Sequence, residues 1–206
     1  MSHSPSPQRP HVTWHAGTAS REERERLLGQ RGCVVWLTGF SGSGKSTVAV
    51  ALEASLLAQR RLCYRLDGDN LRHGLNADLD FSPEARAENV RRVREVAALL
   101  ADAGLIVLAS LISPYAADRE AARARIGQER FLEVYCEAPL EVCEARDPKG
   151  LYAKARRGEI TGFTGVNAPY EPPTNPDLVL ATHGQSVEAC SASILALLQA
   201  RGMTYT

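Results

Sequence analysis

The chain has 206 residues, 44% apolar and 23% charged, the mix expected of one soluble globular domain with short appendages. Lys+Arg and Asp+Glu balance at 24 each. Overall charge therefore marks neither nucleic acid nor an anionic membrane as a partner, and any anion binding must come from locally placed charge.

Residues 1–30 read as an N-terminal arm, partly disordered, with residues 1–20 loosely ordered. The first ten are Ser/Pro-rich and lack the apolar stretch of a secretory signal. No later run is long enough to span a bilayer, so a cytoplasmic protein is expected. Residues 21–30 are charged and helix-prone, and residues 31–206 read as one domain. The apolar run 33–38 predicts a buried strand. A glycine-rich turn follows, then a helix pattern with Val48, Leu52 and Leu56 four apart. A second apolar run, 62–66, ends in Asp67-Gly68-Asp69. Ser82-Pro83-Glu84 predicts a helix start: a capping residue, Pro at the first position and an acid in the first turn. Val90, Val93, Ala97 and Leu100 keep one face of that helix apolar. Further strands are expected over 105–110, 131–136 and 178–180, and a last helix carries Val187, Cys190, Ile194 and Leu197. Strands alternating with helices imply an α/β fold, a parallel, roughly five-stranded sheet covered on both faces. The five cysteines (Cys33, Cys63, Cys136, Cys143, Cys190) are odd in number, widely spaced and form no C-x-x-C pair. Reduced, buried thiols are expected.

Residues 39–46, Gly39-Phe40-Ser41-Gly42-Ser43-Gly44-Lys45-Ser46, match the G-x-x-x-x-G-K-[ST] phosphate loop. The glycines let the backbone turn its N–H groups onto phosphate oxygens, and the next helix aims its positive end at them. Lys45 is expected to bridge the outer phosphates and Ser46 to bind Mg²⁺. The motif announces a nucleoside triphosphate without separating switch, motor and kinase. No N-K-x-D base-recognition element is present, which argues against a GTP switch, and a motor would usually be larger.

Asp67 and Asp69 close the second strand, where a parallel sheet places them beside the phosphate loop. One carboxylate is expected to hold Mg²⁺ through water and the other to accept a hydroxyl proton. The competing reading is a polar turn with a capping Asp. Arg86 and Asn89 share a helix face away from the apolar stripe. Residues 147–168, glycine-spaced, basic and aperiodic, are expected to form a mobile lid that excludes water during transfer.

Several longer stretches resemble the adenylylsulfate kinase family of P-loop kinases. They are residues 39–47; Leu66-Asp67-Gly68-Asp69-Asn70-Leu71-Arg72-His73-Gly74-Leu75-Asn76; and Phe81-Ser82-Pro83 with Arg86 and Glu88-Asn89-Val90-Arg91-Arg92. Ile112-Ser113-Pro114-Tyr115 with Asp118-Arg119 also matches, as do Glu141-Val142-Cys143-Glu144, residues 146–152 and Gly162-Phe163-Thr164-Gly165. Even Trp14-His15 and Gly32-Cys33 look like the family's lead-in. The similarity runs in order along nearly the whole chain.

The resemblance implies transfer of the γ-phosphoryl of MgATP to the 3′-hydroxyl of adenosine 5′-phosphosulfate. ATP would lie on Gly39, Ser41, Gly42, Ser43, Gly44, Lys45, Ser46 and Thr47, with Arg146 near its base. Lys45 and Asp69 would carry the chemistry. Asp69, Asn70, Arg72, Arg86, Asn89, Ile112, Ser113, Lys149, Gly162 and Phe163 would line the acceptor site, with Phe81 stacking on its adenine. Phe163, between Gly162 and Thr164-Gly165, is expected to be exposed unless it covers something, so the two rings are expected to clamp the adenine when the lid closes. The metal, Mg²⁺, would sit on Ser46 and Asp67. The resemblance also implies a homodimer and functional pairing with ATP sulfurylase. Phe40 and Val166-Asn167 depart from the family's commoner residues, at positions expected to touch no residue of chemical importance. Two other functions are weighed against this one: a P-loop kinase of another nucleotide or a small hydroxylated metabolite, and an inactive nucleotide-binding regulatory module.

Overall fold

The structure, a computed structural model, describes residues 12–13 and 15–204; the first eleven residues of the arm expected to be partly disordered and the Trp14 match lie outside the described residues. Its centre is a parallel sheet of β1 (Cys33–Thr38), β2 (Cys63–Asp67), β3 (Ile106–Ser110), β4 (Phe131–Glu137) and β5 (Leu178–Ala181), in the order β2-β3-β1-β4-β5. All six residues of β1 are buried, because side chains alternate between two covered faces. Cys33, Val35 and Leu37 pack on one face with Val48, Leu52 and Leu56 of α2 (Lys45–Ala58) and with Cys190, Ile194 and Leu198 of α8 (Val187–Ala200). Val34 and Trp36 pack on the other with Val90, Val93 and Ala97 of α4 (Pro83–Asp102) and Ala122 and Ile126 of α5 (Ala116–Ile126). The result is three layers, α/β/α.

The helix starts follow local chemistry. Ser82 caps α4 by accepting from Ala85 N at 3.3 Å, with Pro83 in the first turn. On α8 the buried stripe of Cys190 and Ile194 is completed by Leu198, while the expected Leu197 is only half-buried. The charged stretch near the start forms α1 (Arg21–Leu28), docked on the body: Arg21 and Arg24 both meet Asp102, and Glu25 pairs with Arg130. The ordered body thus begins ahead of residue 31. Beyond α3 (Gly68–Leu71), the chain adds α6 (Leu140–Arg146) and α7 (Leu151–Arg156). α7 lies inside the segment expected to be aperiodic. All five cysteines are free and buried, and burial pushes the Cys33 and Cys136 thiols up to about 12. Among the described residues no helix is long and apolar enough to cross a membrane.

Candidate active site

The carboxyl ends of β1, β2 and β3 open on a cavity of about 620 Å³, where ligands collect in open parallel sheets. The phosphate loop forms one wall. A Cβ at Gly42, whose φ is +76°, would meet the Cys143 carbonyl oxygen at 2.8 Å, so only glycine fits there. The loop's carbonyls are held from outside. Tyr152 Oη donates to Ser41 O at 2.9 Å, Arg146 Nη1 to Gly42 O at 3.1 Å and Thr182 Oγ1 to Ser43 O at 2.7 Å. Lys45 Nζ donates to Gly39 O at 2.9 Å and Phe40 O at 2.6 Å. Five successive carbonyls are engaged in this way; apart from Ser43 N, which donates to Phe40 O at 3.1 Å, the loop's N–H groups are left for an anion. Burial pulls the Lys45 ammonium down to about 8.

Asp67 is buried and divides its oxygens. Oδ1 accepts from Asp69 N at 3.0 Å and caps α3, so the competing reading of a capping Asp holds for this atom. Oδ2 accepts from Ser46 Oγ at 2.6 Å, and Ser110 Oγ lies 3.5 Å from Ser46 Oγ. This is a set of hard oxygen donors at the mouth of the phosphate loop, which fits Mg²⁺ held by one carboxylate, a hydroxyl and substrate phosphates. Asp69 stands farther out, exposed to the cavity, and pairs with Lys149 of the 147–168 segment.

The far wall comes from α4 and the turn before it. Phe81 is 58% exposed, and the Arg72 guanidinium lies 4.1 Å over its ring. Arg72 Nη1 also donates to Leu79 O at 3.0 Å, which fixes that stack. Arg86 Nε donates to Phe81 O at 3.0 Å, and its Nη1 reaches Thr164 Oγ1 at 2.8 Å across the cavity. Asn89, Ile112 and Ser113 complete the lining. Ser113 is buried with φ +39°, a left-handed backbone rare outside glycine. Its Oγ accepts from Trp36 Nε1 at 3.1 Å and donates to Thr38 Oγ1 at 3.0 Å.

Behind this floor lies a fork that the sequence reading missed. Arg119, 2% exposed, donates through Nε to Glu133 Oε1 at 2.7 Å, through Nη1 to Ser113 O at 2.8 Å and through Nη2 to Glu171 O at 2.8 Å. Glu171 N donates to Pro114 O at 2.8 Å. Glu133, an acid in the middle of an apolar strand, was the signal: a buried carboxylate needs a cationic partner.

Of the residues expected to touch a substrate, Ser41, Gly42, Gly44, Lys45, Ser46, Thr47 and Arg146 line the cavity on the triphosphate side. Asp69, Arg72, Phe81, Arg86, Asn89, Ile112, Ser113, Lys149 and Phe163 line it on the acceptor side. Gly39 and Ser43 are buried within the loop, and Asn70 is exposed away from the lining. Gly162 lies beside Phe81, where a Cβ would stand 3.9 Å from its carbonyl oxygen. Thr182, Gln185 and Val187, after β5, line the triphosphate side and were not anticipated.

Phe163 corrects one expectation. A large apolar side chain there looked exposed unless it covered a ligand. In the structure it is 6% exposed, set edge-on to Tyr152 at 4.9 Å, in a small core with Cys143 and Ala155. The two departures from the family pattern also matter more than expected. Phe40 packs against this core. Asn167 accepts from Phe163 N and donates through Nδ2 to Ile160 O at 3.2 Å, the second of which an ionised Asp could not do.

Known proteins agree with this geometry. The sequence model described as Adenylylsulphate kinase matches residues 31–181. The chain belongs to the adenylylsulphate kinase family. It is 52% identical over 190 residues to an adenylyl-sulfate kinase of Clostridium kluyveri, covering 92% of this chain and 95% of that one. It is 58% identical over 173 residues to Adenylyl-sulfate kinase 1, chloroplastic, of Arabidopsis thaliana, covering 84% of this chain but spanning 63% of the plant protein's length. A solved APS kinase of Mycobacterium tuberculosis, in complex with AMPPNP and APS, superposes with a TM-score of 0.80 at 54% identity, covering 82% of this chain and 99% of that one.

Proposed function

We propose that this chain transfers the γ-phosphoryl group of MgATP to the 3′-hydroxyl of adenosine 5′-phosphosulfate, giving 3′-phosphoadenosine 5′-phosphosulfate and ADP. The observation that carries the reading is the single cavity that joins a phosphate loop to the Arg72/Phe81/Arg86/Asn89 wall. One aromatic face suits an adenine, and the nearby guanidinium groups suit a phosphosulfate. Phosphoryl transfer needs positioning and charge neutralisation more than strong acid–base chemistry. Lys45 supplies fixed charge on the transferring group. Asp69 orients the acceptor hydroxyl and takes its proton as the new P–O bond forms, while the γ-phosphoryl bond to ADP breaks. Lys149, already on Asp69, brings the lid's charge to the same place. Ser46 and Asp67 would hold Mg²⁺, whose chemistry is to neutralise charge on the β- and γ-phosphates. With its hydroxyl engaged by Trp36 and Thr38, Ser113 serves as part of the acceptor floor rather than as a nucleophile. Residues 147–168 act as the lid. The family reading also assigns a cytoplasmic homodimer that takes its acceptor from an ATP sulfurylase; light scattering at working concentration tests the homodimer.

ADP release measured over a panel of adenosine 5′-phosphosulfate, AMP, shikimate, gluconate and water tests the function. The phosphosulfate should lead by kcat/KM and AMP should trail far behind, since it lacks the sulfate. A higher kcat/KM for AMP or for a non-nucleotide would sink the assignment.

The two phenylalanines should now behave differently. Phe81 is mostly exposed, so Phe81→Ala should leave the melting temperature nearly unchanged. Loss of one base–aromatic stack, worth about 1–3 kcal/mol, should raise acceptor KM roughly 5- to 150-fold. Phe163→Ala removes a buried ring and should destabilise the lid core, by up to about 3–5 kcal/mol if that core unfolds with the rest. Paired melting curves and acceptor KM values check this. An unchanged KM in Phe81→Ala rules out the stack, and an undisturbed melting curve with normal lid protection in hydrogen exchange rules out the packing role of Phe163.

A further inference from the structure

Asn76 is 0% exposed, lies between α3 and α4, and belongs to neither substrate wall. Its main chain is fixed by the loop itself: N donates to Leu71 O at 2.9 Å, and O accepts from Leu79 N at 3.2 Å. Its side chain is used on one side only. Nδ2 donates to Asn89 Oδ1 at 2.8 Å, while Oδ1 has no partner among the described residues. A buried amide oxygen left unpaired is costly, and most interiors avoid it. The single side-chain contact set against that cost is the one to Asn89.

Asn89 lines the cavity from α4, three residues after Arg86. A carboxamide carries an acceptor at one end and two donors at the other. Holding one end therefore decides what the other end presents. With Oδ1 taken from behind by Asn76, the free end of Asn89 is its NH₂ group. The adjoining Arg86 and Arg72 make this a wall of donors and cations, suited to anionic oxygens.

We propose that Asn76 is a positioning residue for the acceptor: it fixes the Asn89 carboxamide so that Nδ2 donates to an anionic oxygen of the phosphosulfate. This rests on the acceptor assigned above. It makes Asn76 a determinant of acceptor affinity without contact to either substrate.

Two variants test it. Asn76→Asp offers Asn89 an acceptor in place of a donor. Asn89 then turns its NH₂ inward and presents Oδ1 to an anion. KM for adenosine 5′-phosphosulfate should rise about 10- to 150-fold, the scale of a lost hydrogen bond to a charged group, with KM for ATP within about twofold of the parent. Asn76→Leu removes the donor together with the unpaired oxygen. It should also raise acceptor KM, with the melting temperature held, and it decides the matter should the aspartate variant fail to fold. An unchanged acceptor KM in both folded variants overturns the inference, as does a parallel rise in both KM values with a fall in melting temperature. If the unsubstituted chain does not use adenosine 5′-phosphosulfate, the functional reading itself fails, an outcome separate from either.

Discussion

Lys45→Ala is expected to lower kcat by at least about 10²- to 10³-fold, the usual result of removing one preorganised group that stabilises transition-state charge. The side chain is buried and folded onto the Gly39 and Phe40 carbonyls, 2.9 and 2.6 Å away, and burial holds its ammonium at about 8. Phosphate oxygens favour the charged form. The group must therefore regain its proton when ATP arrives at a pH above about 8, and binding should take up protons there but not near pH 6, where the ammonium is already charged. Calorimetry of nonhydrolysable ATP binding at pH 8.5 in buffers of different ionisation enthalpy reads this uptake. It should vanish in Lys45→Ala. Buffer-independent heats in the parent protein would contradict the depressed ammonium, and a kcat within a few-fold of the parent would remove Lys45 from the chemistry.

Asp69→Asn is expected to lose about 10²- to 10⁴-fold in kcat, the usual worth of general-base help, with ATP affinity retained. The second part follows from position. Among the described residues Asp69 pairs with Lys149 and bonds within the α3 turn, with no hydrogen bond to the phosphate loop, whereas Asp67 bonds Ser46 directly. The asparagine keeps the shape and removes the proton acceptor. Single-turnover rates together with ATP titration separate the two quantities. A near-normal rate would show that the acceptor hydroxyl loses its proton without Asp69.

The sheet was legible because strands buried on both faces read as plain apolar runs; β1 was placed at its observed ends, and the other strands within about two residues, the usual uncertainty of such boundaries. The phosphate loop was legible because its spacing is dictated by backbone geometry. The short helices were not. α7 has six residues, too few for a helical period to repeat. Phe163 was misjudged because its partners Tyr152 and Cys143 come from two different helices, and only the fold brings them together. Thr182 is one of several polar residues after β5, and its bond to Ser43 O leaves no trace in spacing. Arg119 was legible only within the Asp118-Arg119 match, although Glu133 within β4 called for such a partner.

The Arg119 fork has a mechanical consequence. It fastens Glu171 to the acceptor floor, and Tyr170 Oη, 3.0 Å from Thr38 Oγ1, adds a second rivet. The distal end of the proposed lid is therefore anchored to the sheet. At the other end the chain passes Asp147, at φ 18°, and Gly150, at φ 65°, with no packed side chain at the glycine. For the lid proposed above, the fixed jamb is thus the one beside Ser113.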